Sequence, residues 1–313
     1  MSKFIIRRLL QTIPVLIGVS ILVFSLMYLI PGDPAQIIAG EGASPKTVEQ
    51  IREKLGLNEP APVQYVNYMK NVVQGDLGNS IRSGRPVMDE IKARFWTTVE
   101  LSFYATILAV FLGLIAGIIS AVRHYTWSDI TIMLIALFGL SMPNFWFGLM
   151  LIQWFAIGPD WMPEFMKMRA SGWGDDWRQI ILPVITLGTG GAAIIARMTR
   201  SSMLEVIGQD YIRTARAKGM SERIVIYRHA LKNALIPVIT VVGLEFGGFL
   251  GGAVLTESIF AINGMGRLTI DAIRTRDFPI VQGTVLVISF LFVFVNLLVD
   301  ISYRLLNKRI DLN

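Results

Sequence analysis

Six long stretches of this chain carry almost no charge, which is the mark of membrane spans. Residues 9–30 and 101–122 each run 22 residues without a charged side chain, 130–157 runs 28, 180–196 runs 17 and 280–299 runs 20. The sixth stretch, 233–256, holds one charge, Glu245. About 20 helical residues at about 1.5 Å each cross the roughly 30 Å hydrocarbon layer of a bilayer. Charged residues are only 17% of the 313, against about 25% in a soluble domain. The expectation is an all-α integral membrane protein with six transmembrane helices. The 28-residue run would measure about 42 Å if straight. It must tilt, bend or project beyond the core, and Pro143 inside it supplies a kink.

The first run reads as a retained span. Lys3, Arg7 and Arg8 fit the basic start of a secretory signal, but the apolar run exceeds the usual 7–15 residues and no small-residue cleavage site follows. The same three cations place the N-terminus in the cytoplasm by the positive-inside rule. Six spans return the C-terminus to that side, where Arg304, Lys308 and Arg309 agree. The organisation expected is a tail and first span (1–30), an extracytoplasmic loop (31–97), and a transmembrane core (98–313) with a cytoplasmic loop at 197–232. That last loop has eight Lys/Arg and three Asp/Glu, a net +5 of the chain's +6.

Topology needs a few cations; this loop shows an ordered pattern as well. Gly208 can end the helix leaving span four. Asp210 can cap a short helix over 211–218, and Gly219 can terminate it. Ser221 can cap the next helix, with Glu222 in its first turn, where an acid suits the helix dipole. Ile224, Tyr227, Leu231 and Ala234 then recur at helical spacing as one apolar stripe, with Arg223, Arg228 and Lys232 off it. Ala215 and Ala217 would let another surface approach the short helix closely. The segment reads as a docking knob beneath the membrane.

The residues "DYIRTARAKG" (210–219) and "RHALKNALIP" (228–237) closely resemble the cytoplasmic EAA loop of ABC-importer permeases of the dipeptide/oligopeptide/nickel family. "PGDP" after span one, "SMPNFW" in span three and "GGAVLTESIFAINGMGRLTIDAIRTRDFPIVQG" (251–283) resemble it too, so the likeness covers essentially the whole chain. The generic signature has Glu-Ala-Ala where this chain, aligned on Gly219, has Arg213-Thr214-Ala215. It has Ile-x-Leu-Pro where this chain has His229-Ala230-Leu231-Lys232, with Pro237 five residues on. The resemblance implies that the short helix is a coupling helix fitting a groove on a separate ATPase. Its residues would be Tyr211, Arg213, Thr214, Ala215, Arg216, Ala217, Lys218 and Gly219, with Ser221, His229 and Pro237 behind them. It also implies partners: a second, homologous permease, two ATPases, an extracytoplasmic solute-binding protein and the lipid bilayer of the inner membrane. Peptides are the solute class implied; nickel complexes and glutathione use similar-looking permeases.

No Gly-Lys dipeptide occurs, so no G-x-x-x-x-G-K-[ST] phosphate loop exists here. ATP and magnesium would belong to the partner ATPases, and this chain would bind no cofactor itself. There is no cysteine and there are only two histidines, His124 and His229, so thiolate or His-based metal sites are not expected. Neither H-E-x-x-H nor G-x-S-x-G occurs; no catalytic residue is assigned, and the basic loop hugs the membrane rather than nucleic acid. The competing reading is a self-sufficient secondary transporter or channel driven by an ion gradient.

Within the spans, Glu245 reads as the only well-immersed ionisable residue, either a path-lining acid or a buried structural one. Gly243, Gly247, Gly248, Gly251 and Gly252 make span five a close-approach helix, as a subunit or pore face or as packing within the chain. Pro143 and Asn144 break span three. Pro143, Asn144, Glu245, Gly247 and Gly251 are therefore the candidate translocation-path residues. In the first outer loop, Ser44-Pro45 opens a helix carrying Val48, Ile51 and Leu55 before Gly56. A second amphipathic stretch follows from Pro62, with Val63, Val66, Met69 and Val72, making a small, partly helical extracytoplasmic cap.

Overall fold

A computed structural model describes residues 2–29, 33–40, 42–54, 56–159, 161–174 and 176–306. Pro31 and Gly32 of the "PGDP" motif, Leu55 of the first outer-loop helix, and the basic residues Lys308 and Arg309 lie outside the described residues. The chain runs through α1 (Ser2–Leu29), α2 (Pro34–Ala39), α3 (Pro45–Lys54), α4 (Ala61–Val73), α5 (Val87–Val122), α6 (Trp127–Ser141) and α7 (Asn144–Leu151). It continues through α8 (Trp177–Ile207), α9 (Asp210–Ala217), α10 (Glu222–Ile224), α11 (Leu231–Ile259), α12 (Met265–Thr275) and α13 (Phe278–Leu306). Wider π-helical turns occupy Ile152–Ile157 and Val225–Ala230. No strand occurs among the described residues beyond one isolated bridge, Asn79 to Pro86.

This is the architecture that lipid demands, because a helix satisfies its own backbone where water is missing. Five helical segments are long and apolar enough to span: Ile6–Ser25, Val87–Val122, Trp177–Ile207, Glu222–Ile259 and Phe278–Ser302. The 28-residue run does not form a sixth straight rod. It breaks between Ser141 and Asn144, and the two halves meet at 100°. Pro143 therefore does more than kink a helix: it stands at the N-cap of α7 in extended conformation, where its missing N–H costs nothing. Gly148 of α7 lies against Thr186 of α8, an added Cβ falling 3.1 Å from its Cγ2.

The chain clusters into two compact units: Met1–Trp96 with Gly264–Leu291, and Thr97–Asn263 with Phe292–Asn313. In the first, Leu77, Val87, Ile91, Met265, Ala272 and Ile280 form the core. Buried Asp277 organises the segment before α5, accepting from Ser80 Oγ at 2.5 Å and from the Ile81 N–H at 3.2 Å. The Ser44 hydroxyl accepts the Thr47 N–H at 3.2 Å, capping α3 as expected. Val63 and Val66 of α4 are exposed, so that helix buries less of its apolar side than its pattern suggests.

In the second unit the core is built on α5, α8 and α11 around Leu101, Leu182, Leu187, Ile195, Val238 and Phe249. Small residues set the α5–α8 distance. A Cβ on Gly113 would sit 2.6 Å from Ile195 Cγ2, and one on Gly117 would sit 2.6 Å from the Ala196 carbonyl oxygen. Glu245 is not the sole acid in its helix. α11 runs to Ile259, and it carries Glu257 fully buried, accepting from Thr98 Oγ1 at 2.6 Å. An uncharged-run criterion stops at 256 and places that acid in a loop; in the structure it is helical, with Thr98 supplying one donor.

Candidate coupling site

α8 does not stop where its uncharged run stops. It continues to Ile207, so residues 197–207 of the basic segment are helix rather than loop. Gly208 caps it, and the chain turns into α9. Gln209, not Asp210, occupies the N-cap position of α9, with no side-chain bond; Asp210 is the first helical residue. There its charge favours the N-terminal dipole, and it lies 3.5 Å from Arg213 one turn on. Ser221 stands at the N-cap of α10 as expected, though its side chain makes no cap bond.

The end of α9 is a Schellman closure. The Gly219 N–H donates to the Arg216 carbonyl at 2.9 Å and the Met220 N–H to that of Ala215 at 3.4 Å. Gly219 takes φ +76°, the left-handed geometry this closure requires. α9 is also fastened from inside. Ile212 and Ala215 are buried in a cluster with Ala121, Met203, Val225, Ile226, Ala230 and Ala234. Tyr211 Oη accepts from Asn233 Nδ2 at 2.8 Å. Arg216 reaches both carboxylate oxygens of Glu222, at 3.1 and 2.6 Å; those bonds hold its guanidinium above its ordinary pKa. Eight residues alone would not hold a helix; these contacts do.

Ala215 therefore belongs to the inner face, and the expectation that it lets a partner approach is corrected: it seats the helix on its own chain. Tyr211, Arg213, Thr214, Arg216, Ala217, Lys218 and Gly219 are exposed. The apolar stripe behind α9 is also corrected. Ile224 and Tyr227 are exposed, and the buried set is Val225, Ile226, Ala230 and Ala234. The π-helical turn over Val225–Ala230 shifts the phase that a 3.6-residue period assumes. His229 is half-buried, its carbonyl accepting from Asn233 at 3.2 Å, and Pro237 lies within α11.

One cluster near this site was not read from sequence. Asp129, in the first turn of α6, is buried and accepts from Arg200 Nε and Nη2, each at 2.8 Å. It also accepts from the Ser120 hydroxyl and, at 3.1 Å, from the N–H of Tyr125, a non-glycine residue at φ +62°. The pair ties the α5–α6 turn to α8 one helical stretch before α9.

Of the candidate path residues, Asn144 and Glu245 come to neighbouring points on α8. Asn144 Oδ1 lies 3.6 Å from where a Cβ on Gly190 would be, and Glu245 Oε2 lies 3.1 Å from the same point on Gly191. Pro143 is exposed at the α7 N-cap. Gly247 lies against α13, where an added Cβ would fall 3.1 Å from Phe292 Cδ2, and Gly243 meets Val299 of the same helix. Gly248, Gly251 and Gly252 have open space around them. The glycine row thus has two uses, and they separate by mutation. Gly243→Leu is expected to overpack α11 against α13 and cost about 1–3 kcal/mol. Gly251→Leu is expected to leave the chain's own stability within about 0.5 kcal/mol. Thermal unfolding of the purified chain in detergent distinguishes them; equal losses would remove the distinction.

These features define a polytopic, all-helical membrane protein. The chain belongs to the family of binding-protein-dependent transport system inner membrane components, whose profile matches residues 113–312, with the family's N-terminal region matching 1–102. It is 50% identical to the dipeptide transport system permease protein DppB of Alkalihalophilus pseudofirmus, over 99% of both chains. It is 44% identical to the glutathione transport system permease protein GsiC of Escherichia coli, again over 99% of both. Among solved structures, the inward-facing MetNI methionine ABC transporter matches with a TM-score of 0.58 at 18% identity, over 70% of this chain and 97% of the other. That likeness concerns the fold.

Proposed function

We propose that this chain is one of the two permease subunits of an ABC importer for short peptides, and that α9 is the lever through which separate ATPase subunits drive it. In this reading the bent pair α6–α7 counts as one span, giving six, with both termini and α9 cytoplasmic. The 31–97 segment then lies outside, where the solute-binding protein docks. The observation that carries the reading is the build of α9: a short helix closed at Gly219 and seated by buried Ile212 and Ala215, with a basic outer face left exposed. A part that must pass a push to the spans has to be stiff where it joins them and open where it is pushed. Peptides are the solute class because the named relatives carry a dipeptide and glutathione, a tripeptide. Asn144 and Glu245, lying against the adjacent Gly190 and Gly191 of α8, are the proposed path residues.

The test is reconstitution. The chain co-expressed with ATPase and permease subunits of the same importer class should co-purify with both in mild detergent. In proteoliposomes the complex, given loaded binding protein, should move radiolabelled dialanine only with ATP. Uptake by this chain alone under a proton gradient would overturn the reading in favour of an ion-coupled carrier.

A further inference from the structure

Two hollows in the first unit follow one another along the same helices. One, of about 470 Å³, is walled by apolar side chains of α1, α4 and α13, among them Ile13, Ile17, Val72 and Phe290. The other, of about 250 Å³, continues along α1, α4 and α13 beyond Leu77, which lines both. Its wall changes character. Asn67, Tyr68, Asn71, Asp76, Asn79 and Gln282 line it, and among the described residues no Lys, Arg or His does. The Tyr68 hydroxyl is buried without a hydrogen-bond partner. Burial pushes that phenol up to about 12, so it remains a donor with nothing to donate to, which costs free energy unless a ligand supplies the acceptor.

We propose that these two adjoining hollows together form a binding site for a zwitterionic aminophospholipid such as phosphatidylethanolamine. An acyl chain would lie along the apolar stretch between α1 and α13, and the headgroup would enter the polar end. The Tyr68 hydroxyl and the carboxamides of Asn67 and Asn71 donate to phosphodiester oxygens. Asp76 accepts from the ammonium. One Asp76 oxygen already takes the Gly78 N–H at 2.8 Å, which orients the carboxylate and leaves the other free for the lipid. The charge pattern selects the headgroup. With a carboxylate and no cation among the described lining residues, an anionic lipid meets repulsion, and a choline headgroup has no N–H to donate. The amphipathic order matches a lipid rather than a peptide, because the apolar hollow lies along two membrane-spanning helices and only the far end is polar.

The purified full-length chain, delipidated and then exposed to mixed micelles of dioleoyl-phosphatidylethanolamine, -choline or -glycerol, tests this by native mass spectrometry. Phosphatidylethanolamine should be retained preferentially, by about tenfold, the factor expected for one charge-assisted hydrogen bond. Asp76→Asn should erase the preference over phosphatidylcholine, and Tyr68→Phe should weaken retention of both. Neither change removes a bond the chain makes within itself: the Tyr68 hydroxyl has none, and asparagine keeps the acceptor for Gly78. Equal retention of the three lipids, strongest retention of phosphatidylglycerol, or wild-type selectivity in Asp76→Asn would overturn the proposal. So would absence of bound lipid from the assembled transporter, which would assign the hollows to a partner subunit.

Discussion

Arg200→Met is expected to be strongly destabilising, at about 3–5 kcal/mol. The reason is what it leaves behind. Asp129 is 3% exposed, and without Arg200 its carboxylate keeps only two neutral donors, the Ser120 hydroxyl and the Tyr125 N–H. A buried ion pair contributes little net stability as a pair, but half of one is costly. The double variant Asp129→Asn with Arg200→Met should therefore recover much of the loss, because no unpaired charge remains. Thermal and denaturant unfolding of the purified chain in detergent would measure both. A double variant no more stable than Arg200→Met alone would mean that the pair matters for packing rather than charge. Position adds a functional consequence: Asp129 also holds Tyr125 in its left-handed turn. Loosening it should lower coupled transport in variants that still assemble.

That pair also shows where sequence reading stops. Uncharged runs gave away the five long spans because hydrophobic thickness imposes length on every one of them. They gave no account of Asp129 and Arg200, 71 residues apart, since two charges at the ends of different runs look interfacial until the helices are packed. The same holds for Glu257, whose partner Thr98 is 159 residues away. Span three looked like a kinked rod because Pro143 is a local signal. The 100° break also depends on α7 packing beside α8, where Gly148 meets Thr186. The terminating role of Gly219 was legible, because a helix end of this kind needs a left-handed residue. Which alanine faced inward was not legible: the burial of Ala215 depends on helices α8 and α11, whose register passes through a π-helical turn that a fixed 3.6-residue period cannot anticipate. The five glycines of span five were visible as small residues, but only packing shows that Gly243 and Gly247 are used within the chain.

Gly219→Val is expected to remove ATP-driven uptake while leaving the spans folded. At φ +76° an added Cβ would meet no other atom within 4 Å, so the cost is mainly conformational. A left-handed L-residue costs about 1–2 kcal/mol, and β-branching makes the position worse. Each 1.4 kcal/mol is about a factor of ten in a population, so the ratio of seated to unseated α9 would fall by about five- to thirtyfold, more with the β-branch. The closing bonds from Gly219 and Met220 would open, and melting of the long helices should be unchanged. Gly219→Asn, a residue that tolerates this geometry, should retain most transport. The inner and outer faces of the same helix then separate seating from docking. Ala215→Glu would bury a carboxylate against Met203 and Val225, without a partner, and unseat α9. Ala217→Trp places bulk on the exposed side and should block the ATPase while leaving α9 in place, so that the purified chain melts normally but the ATPase no longer co-purifies. Retained ATPase binding in Ala217→Trp, alongside loss in Ala215→Glu, would show that α9 steadies the turn between α8 and α11 and that the push enters elsewhere.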